Sequence, residues 1–108
     1  MGALIVITHA PDRASADKIA RALVDQKLAA CVNILAGCSS IYRWQGQVET
    51  AVEVPLLIKT RADIYAEVEA AIKSLHPYEL PEIVAVPVAH GSSDYLEWIN
   101  AATVTEIG

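Results

Sequence analysis

The chain has little positive charge and few of the residues that mark nucleic-acid-binding surfaces. Its 108 residues include 8 Lys and Arg against 13 Asp and Glu, and its formal net charge is -5. The basic residues form no cluster, so the electrostatic footprint of a nucleic-acid-binding protein is absent and anionic membranes are disfavoured. This length is close to the common domain size, and we expect residues 1–108 to form a single domain.

Cysteine is also scarce, and no apolar run is long. Cys31 and Cys38 are separated by a spacing that fits neither a CxxC motif nor a disulfide framework, so we interpret both as reduced, mostly structural thiols. The N-terminal sequence has one short apolar run and no basic leader, which predicts neither a signal peptide nor a membrane span. We therefore expect a cytoplasmic protein with no membrane or nucleic-acid partner.

Patterns typical of enzymes and preformed metal sites are missing as well. The three histidines, His9, His76 and His90, are far apart in sequence, and none belongs to an HxxxH or Cys and His cluster. No glycine-rich phosphate loop, nucleophile elbow or catalytic triad pattern is present. We predict that the protein is not an enzyme, and we interpret His9 and His90 as solvated loop side chains.

Hydrophobic periodicity predicts an α+β fold. Residues 3–8 form an apolar strand, and a helical stripe follows from residue 16 to about residue 28. Thr60 and Asp63 form a capping box before a second helix, which Pro77 ends. Residues 82–89 are predicted as an edge strand because of their prolines, and a last helix begins at residue 92 or 93.

Between the first two helices the polarity alternates over about thirty residues, which predicts a long β-hairpin that turns near Gly46. The order of elements is then βαββαβ with a C-terminal helix, the ferredoxin-like arrangement. To keep apolar residues on one face, the register should pair Trp44 with Val48 through a three-residue loop or an equivalent bulge, and Gly37 should lie opposite Pro55.

The predicted hairpin strands are too long for the domain that carries them. Two strands of fourteen residues would reach roughly 46 Å, beyond the body of a domain of this size. An isolated apolar hairpin is only marginally stable in water. We therefore expect another subunit to cover Tyr42, Trp44 and Val48.

The most informative segment is HPYELPEI at residues 76–83, because packing does not require this combination of prolines, imidazole, phenol and carboxylates. Four further motifs occur in order: AACVNI at 29–34, SIYRWQG at 40–46, LLIKT at 56–60 and DYLEW at 94–98. With these motifs the chain resembles the CutA divalent-cation tolerance proteins over nearly its whole length. The resemblance implies a cytoplasmic homotrimer of ferredoxin-like subunits, linked to copper and other divalent cations.

The same resemblance bears on the metal ligands. Copper-binding members can offer a cysteine and a His-His pair at positions that are Thr8, Leu75 and His76 here. Only His76 remains as a candidate metal ligand, for weakly bound Cu²⁺ or another divalent cation, with a hydrogen-bonding role in the turn as the alternative.

The second group of candidate residues is a pocket of Glu53, Lys59, Tyr78 and Glu82, in which lysine would bind an anion and carboxylates a cation. Their alternative role is in ion pairs that hold the hairpin to the domain or one subunit to another. Three functions stay open: a metal-responsive trimer, a small-ligand signalling trimer similar to the PII proteins, and a scaffold that binds no ligand.

Overall fold

The computed structural model describes residues 2–103. These residues form one α+β unit that is built from helices and antiparallel strands. The strands are Ala3–Ala10 (β1), Cys31–Ile34 (β2), Cys38–Trp44 (β3), Gln47–Arg61 (β4) and Val84–Pro87 (β5). The helices are Arg13–Asp25 (α1), Tyr65–Leu75 (α2) and Ser93–Ala102 (α3), with a 3-10 turn at Ala62–Ile64. Within residues 2–103, no helix is long and apolar enough to cross a membrane.

The strands form one sheet in the order β2-β4-β1-β5, and β3 pairs with β4 beyond β2. If β2 and β3 are counted as the two parts of one predicted strand, this is the ferredoxin-like order, so the predicted α+β fold is confirmed. The edge position predicted for the last strand is also confirmed, although β5 covers only Val84–Pro87 of the predicted 82–89. Pro87 lacks a backbone donor, which is tolerated at an edge.

The main core lies between one face of the sheet and the helices α1 and α2. Val6 of β1 lies opposite Ile58 of β4, and both are fully buried. From α1 this core receives Ile19 and Leu23, and from α2 it receives Val68 and Ile72. Because side chains alternate along a strand, the neighbouring residues of β1 and β4 point to the other face of the sheet.

Helix α3 covers only part of that second face. It contacts β1 and β4, and its Ile99 is buried although it does not belong to the main core. Val84 and Val86 of β5 are 49% and 46% exposed, and Trp98 of α3 is 46% exposed. This face of the sheet therefore keeps an apolar surface in the isolated chain.

The long hairpin projects from the body, as expected, and the largest dimension of the chain is 44 Å. Every residue from Ile41 to Thr50 is exposed in the single subunit. The predicted register of its tip is wrong, however. Trp44 pairs with Gln47, not Val48, and a regular ladder continues from there to the pair Cys38 and Glu53.

Two local features explain this correction. Gln45 and Gly46 have φ values of 52° and 80°, so a two-residue turn with left-handed backbone joins the strands, and such turns match the twist of a hairpin. The other feature is the interruption between β2 and β3 at residues 35–37. There Leu35 donates to the carbonyl of Pro55, so Gly37 is not the residue opposite Pro55. Its backbone instead lies beside Val52 and Glu53.

The interruption shifts the register by one residue. Val32 pairs with Ile58 on the β2 side, whereas Ile41 pairs with Thr50 on the β3 side. The alternating sequence pattern predicts one continuous strand across this break. Because of the shift, the apolar and polar positions of β3 exchange faces relative to β4.

The predicted capping box is also wrong. Thr60 is fully buried in β4, and its hydroxyl donates to the carbonyl of Leu28 at 2.7 Å, so it cannot cap a helix. Helix α2 starts five residues later, after the 3-10 turn. In contrast, the carboxylate of Asp12 accepts the N–H of Ser15 at 2.7 Å and caps α1.

The hairpin turn gives a direct test of this register. In Gly46→Ala the new side chain would meet no neighbour, but φ stays at +80°, so we expect a loss of roughly 1 kcal/mol in the free energy of unfolding. Gly2→Ala, which also meets no atom within 4 Å and has no positive φ, is the control. Urea denaturation of both variants measures the difference, and equal stabilities would contradict a left-handed Gly46.

Candidate functional site

The segment HPYELPEI leaves the end of α2 and crosses to β5. His76 is the C-cap of α2: its backbone N–H donates to the carbonyl of Ile72. Its own backbone is extended, with φ −78° and ψ 133°, which is the conformation that the following Pro77 requires. The helix therefore ends where the sequence predicted, and the imidazole of His76 turns into the protein, with 8% of the residue exposed.

Both ring nitrogens of His76 have hydrogen-bond partners. Nε2 lies 2.7 Å from the carbonyl oxygen of His9, and Nδ1 lies 3.1 Å from the backbone nitrogen of Tyr78. A carbonyl only accepts and an amide N–H only donates, so the pattern assigns the proton to Nε2 and a lone pair to Nδ1. This is the hydrogen-bonding role considered from the sequence. A metal ion could coordinate His76 only after one of these bonds had opened.

The turn that His76 holds places the phenol of Tyr78 against a buried carboxylate. The hydroxyl of Tyr78 donates to Oε2 of Glu53 at 2.9 Å, and Glu53 is 8% exposed. Burial, followed by the hydrogen bond and the charge of Glu53, raises the pKa of Tyr78 to about 12. At neutral pH the phenol therefore stays protonated and donates to the carboxylate.

A second imidazole lies nearby. Nδ1 of His9 is 3.0 Å from Oε1 of Glu82, and the side chain of His9 is 19% exposed. His9 belongs to β1, so its interpretation as a solvated loop residue is wrong. No local pattern indicates this contact, because the partner of His9 is 73 positions away. His90 is exposed and outside any helix or strand, as predicted.

The two contacts, Tyr78 with Glu53 and His9 with Glu82, lie in one open cleft of about 590 Å³. It is bounded by the hairpin on one side and by the turn after α2 on the other. The lining residues are His9, Tyr42, Arg43, Trp44, Glu53, Tyr78, Glu79, Leu80, Pro81 and Glu82. The cleft thus gathers three of the four predicted pocket residues, Glu53, Tyr78 and Glu82.

Lys59 is the predicted pocket residue that the structure places elsewhere. It is six positions from Glu53 on β4, about 20 Å along an extended strand. Its ammonium donates to the side-chain carbonyl of Asn33, and its strand neighbours are Ile5 and Cys31. Lys59 is therefore absent from the cleft, and the structure does not bring it together with the other three predicted pocket residues.

Four further residues line the cleft that the sequence patterns do not identify: Arg43, Glu79, Leu80 and Pro81. The last three belong to the HPYELPEI motif and could have been found by taking the whole motif as the site. Arg43 could not, because its place depends on the hairpin register.

The residues predicted to form an oligomer interface lie on both faces of the hairpin. Tyr42 and Trp44 line the cleft, whereas Val48 pairs with Arg43 and, by strand alternation, points to the opposite face. The three side chains therefore form no single surface in this subunit.

No closed metal centre exists in the described part of the chain, because residues 2–103 contain no group of three His, Cys, Asp or Glu side chains able to hold an ion. The position of Thr8 is buried in the core face of β1, and Leu75 packs partly buried against the core. What the cleft does offer a cation is one imidazole and carboxylate pair, His9 and Glu82, while Glu53 and Glu79 line other parts of it.

A split β-α-β-β-α-β sheet with a projecting hairpin and a cleft beneath it defines a ferredoxin-like protein of the α+β class. The sequence profile described as "CutA1 divalent ion tolerance protein" matches residues 4–102. The chain is 46% identical over 99 residues to the divalent-cation tolerance protein CutA of Thermus thermophilus, covering 92% of this chain and 96% of that one. It is 44% identical over 100 residues to CutA of Yersinia pestis, with 93% and 84% covered.

Solved structures agree. The crystal structure of CutA1 from Oryza sativa superposes with a TM-score of 0.94 at 35% identity, covering 98% of this chain and 97% of that one. The chain therefore belongs to the CutA family of divalent-cation tolerance proteins, as its motifs indicated.

The raised pKa of Tyr78 can be measured directly. In a spectrophotometric titration, the phenolate absorbance that is lost in Tyr78→Phe should have its midpoint near pH 12, not near the ordinary value of about 10. Because the folded pKa exceeds the unfolded one, the associated stability is fully present below pH 10 and is lost as the pH rises toward 12. A difference curve centred near pH 10 would contradict the contact with Glu53.

Proposed function

We propose that this chain acts as a cytoplasmic, metal-responsive homotrimer that binds divalent cations, Cu²⁺ among them, weakly and without catalysis. Its membership of a divalent-cation tolerance family gives the general function. The observation that carries the finer proposal is the His9 and Glu82 pair at 3.0 Å in an acidic cleft. An imidazole nitrogen and a carboxylate oxygen are ligands common to Cu²⁺ and Zn²⁺.

Two protein ligands support modest affinity, with water or another subunit completing the coordination. The absence of a three-residue cluster within residues 2–103 is consistent with weak binding. His76 provides the alternative ligand that the family motif suggested. Its coordination would require the loss of the bond from the Tyr78 N–H or to the His9 carbonyl, and the buried partner would then be left unsatisfied.

Single substitutions distinguish the candidate metal ligands His9, Glu82 and His76. In calorimetry with Cu²⁺ at pH 7.5, His9→Gln and Glu82→Gln should each weaken binding by roughly tenfold or more. His90→Gln removes an exposed imidazole of another loop and should leave the affinity unchanged. Because a protonated imidazole cannot coordinate, the wild-type affinity should also fall at pH 5.5.

The same titration of His76→Gln decides between the two imidazoles. Loss of binding in this variant, with unchanged binding in His9→Gln, would assign the metal to His76. Unaltered Cu²⁺ binding in all of these variants would exclude the cleft as the metal site.

Two separate apolar surfaces support the trimer. One lies on the hairpin, where Ile41, Val48 and Val52 are 73%, 64% and 71% exposed. The other is the second face of the sheet with Val84, Val86 and Trp98, which are about half exposed. A cyclic ring uses two different surfaces that meet head to tail, whereas a two-fold dimer uses one surface twice. The pair of surfaces therefore favours a ring.

Assembly is tested by placing one charge in each surface. Val52→Asp and Val86→Asp should each dissociate the oligomer at low micromolar concentration, since burying a valine stabilises an interface by roughly 1.5–3 kcal/mol and a buried carboxylate opposes it. Val24→Asp, on an exposed position of α1 that is 43% accessible, is the control. Sedimentation velocity gives the mass of each variant, and an unchanged wild-type mass in both surface variants would contradict the proposed interface.

The arrangement of the two buried or partly buried histidines supports the non-catalytic part of the proposal. In the described residues, the rings of His9 and His76 engage a carboxylate, a carbonyl and an amide, and neither forms a hydrogen bond with a Ser, Thr or Cys nucleophile. The thiols of Cys31 and Cys38 are free, which suits a reducing compartment and supports the cytoplasmic location. Cell fractionation tests that location.

A further inference from the structure

We propose that the cleft binds a small organic ammonium ion, whose charge is held by Glu53 and whose alkyl part contacts Tyr42, Trp44 and Tyr78. This inference goes beyond metal tolerance, because it assigns a different chemical class of ligand to a deeper part of the cleft than the His9 and Glu82 pair. Metal binding at that pair and ammonium binding at Glu53 can each be true or false independently.

The first reason is that Glu53 is a buried carboxylate without a cationic partner. The residue is only 8% exposed, yet none of the ion pairs between residues 2 and 103 includes it. Its Oε2 accepts the hydroxyl of Tyr78, and neither oxygen of Glu53 is among the fully buried side-chain atoms of residues 2–103 that lack a hydrogen-bond partner. The carboxylate is therefore open to the cleft, and the neutral phenol leaves its charge available to a cation that enters.

The second reason is the aromatic surface around this carboxylate. On the hairpin, Cys38 pairs with Glu53, and Tyr42 and Trp44 follow at alternate positions of β3, so their side chains share the face of Glu53. Tyr78 enters from the opposite wall. The three aromatic residues are 43%, 37% and 36% exposed, which leaves ring surface available. Aromatic faces attract ammonium ions, tryptophan most strongly.

The charge of the lining selects the sign of the ligand. The cleft is lined by three acidic residues, Glu53, Glu79 and Glu82, and by one basic residue, Arg43, which pairs with Val48 and so belongs to the strand face opposite Tyr42 and Trp44. This excess favours a cation and disfavours phosphate or carboxylate ligands. Leu80, which is 70% exposed, and Pro81 add an apolar wall for an alkyl chain.

The size of the cleft favours an organic cation over a bare metal ion as the ligand at Glu53. A volume of about 590 Å³ lies in the range of small-molecule sites. A bare divalent ion needs several converging oxygen or nitrogen ligands, and the stretch from residue 2 to residue 103 brings no three such side chains together. An ammonium ion needs only one carboxylate and an aromatic face.

The experiment uses the full chain in EDTA, so that metal binding makes no contribution. Butylammonium chloride and the neutral analogue 1-butanol are titrated against ¹⁵N-labelled protein, and backbone chemical shifts are followed by NMR. We expect saturable shifts at Tyr42, Glu53 and Tyr78 with butylammonium and none that saturate with 1-butanol. Sodium chloride at equal ionic strength corrects for screening.

Matched variants then test the contacts. Glu53→Gln keeps the shape and an acceptor for the Tyr78 hydroxyl, and it should weaken butylammonium binding at least about tenfold, by loss of a charge-assisted bond. Trp44→Leu should weaken it about threefold or more through loss of the cation–aromatic contact. Glu49→Gln removes the same charge from the same strand outside the cleft lining and should bind as wild type.

Three outcomes would overturn the proposal. Equal binding of 1-butanol would mean that the cleft is a hydrophobic site without charge selection. Unaltered binding in Glu53→Gln would move the ammonium to another carboxylate. Binding by the assembly-deficient Val52→Asp variant alone would show that a side chain of a second copy fills the cleft in the oligomer. Since all of these measurements exclude metal, none of them bears on the Cu²⁺ titration.

Discussion

The buried imidazole of His76 joins the end of α2, the end of β1 and the turn that carries Tyr78, and the geometry of the cleft depends on this junction. Its Nε2 donates to β1 through the carbonyl of His9, while its Nδ1 accepts from the N–H of Tyr78. The ring centroids of His76 and Tyr78 are 4.9 Å apart. The imidazole thereby fixes the phenol that reaches β4 through Glu53. Substitution of His76 would disturb three elements together, so loss of function alone would not identify a metal ligand.

The hairpin register supplies the opposite wall, and its one-residue shift decides what that wall contains. In the observed register Tyr42 lies opposite Glu49 and shares a strand face with Glu53. The register expected from polarity alone would have paired Tyr42 with Thr50, and both Tyr42 and Trp44 would then point away from Glu53. The break at residues 35–37 and the left-handed turn at Gln45 and Gly46 are therefore requirements of the cleft as well as features of the fold.

Local patterns predicted most of the fold from the sequence. The apolar run of β1, the helical stripes of α1 and α2, and the prolines of β5 each have a single strong periodicity or stop signal, and the sheet order follows from their sequence. The register failed because alternation was extended through an interruption that only the partner strand reveals. The capping role of Thr60 failed because burial of its hydroxyl against Leu28 overrides the local motif.

The candidate site was predictable to the extent that it lies within one motif. Tyr78 and Glu82 belong to the same motif as His76. Glu53 was predicted as a second carboxylate that could pair with Glu82. His9 and Arg43 could not be found, because their roles arise from contacts across distant strands. Lys59 was wrongly assigned to the cleft because alternation along a strand indicates the face on which a residue lies but not the residues of other elements that it meets.

The two faces of the hairpin have separate chemistry, and this allows assembly and ligand binding to coexist. Ile41, Val48 and Val52 share one strand face and are exposed, whereas Tyr42 and Trp44 turn to the cleft. A neighbouring subunit that covers the aliphatic face need not occupy the cleft, but it would hold the hairpin in place. Since an isolated hairpin is marginally stable, that support would fix the aromatic wall against Glu53. Assembly would then reduce the ordering cost of binding, so the affinity of the cleft for a cation would be coupled to the oligomeric state.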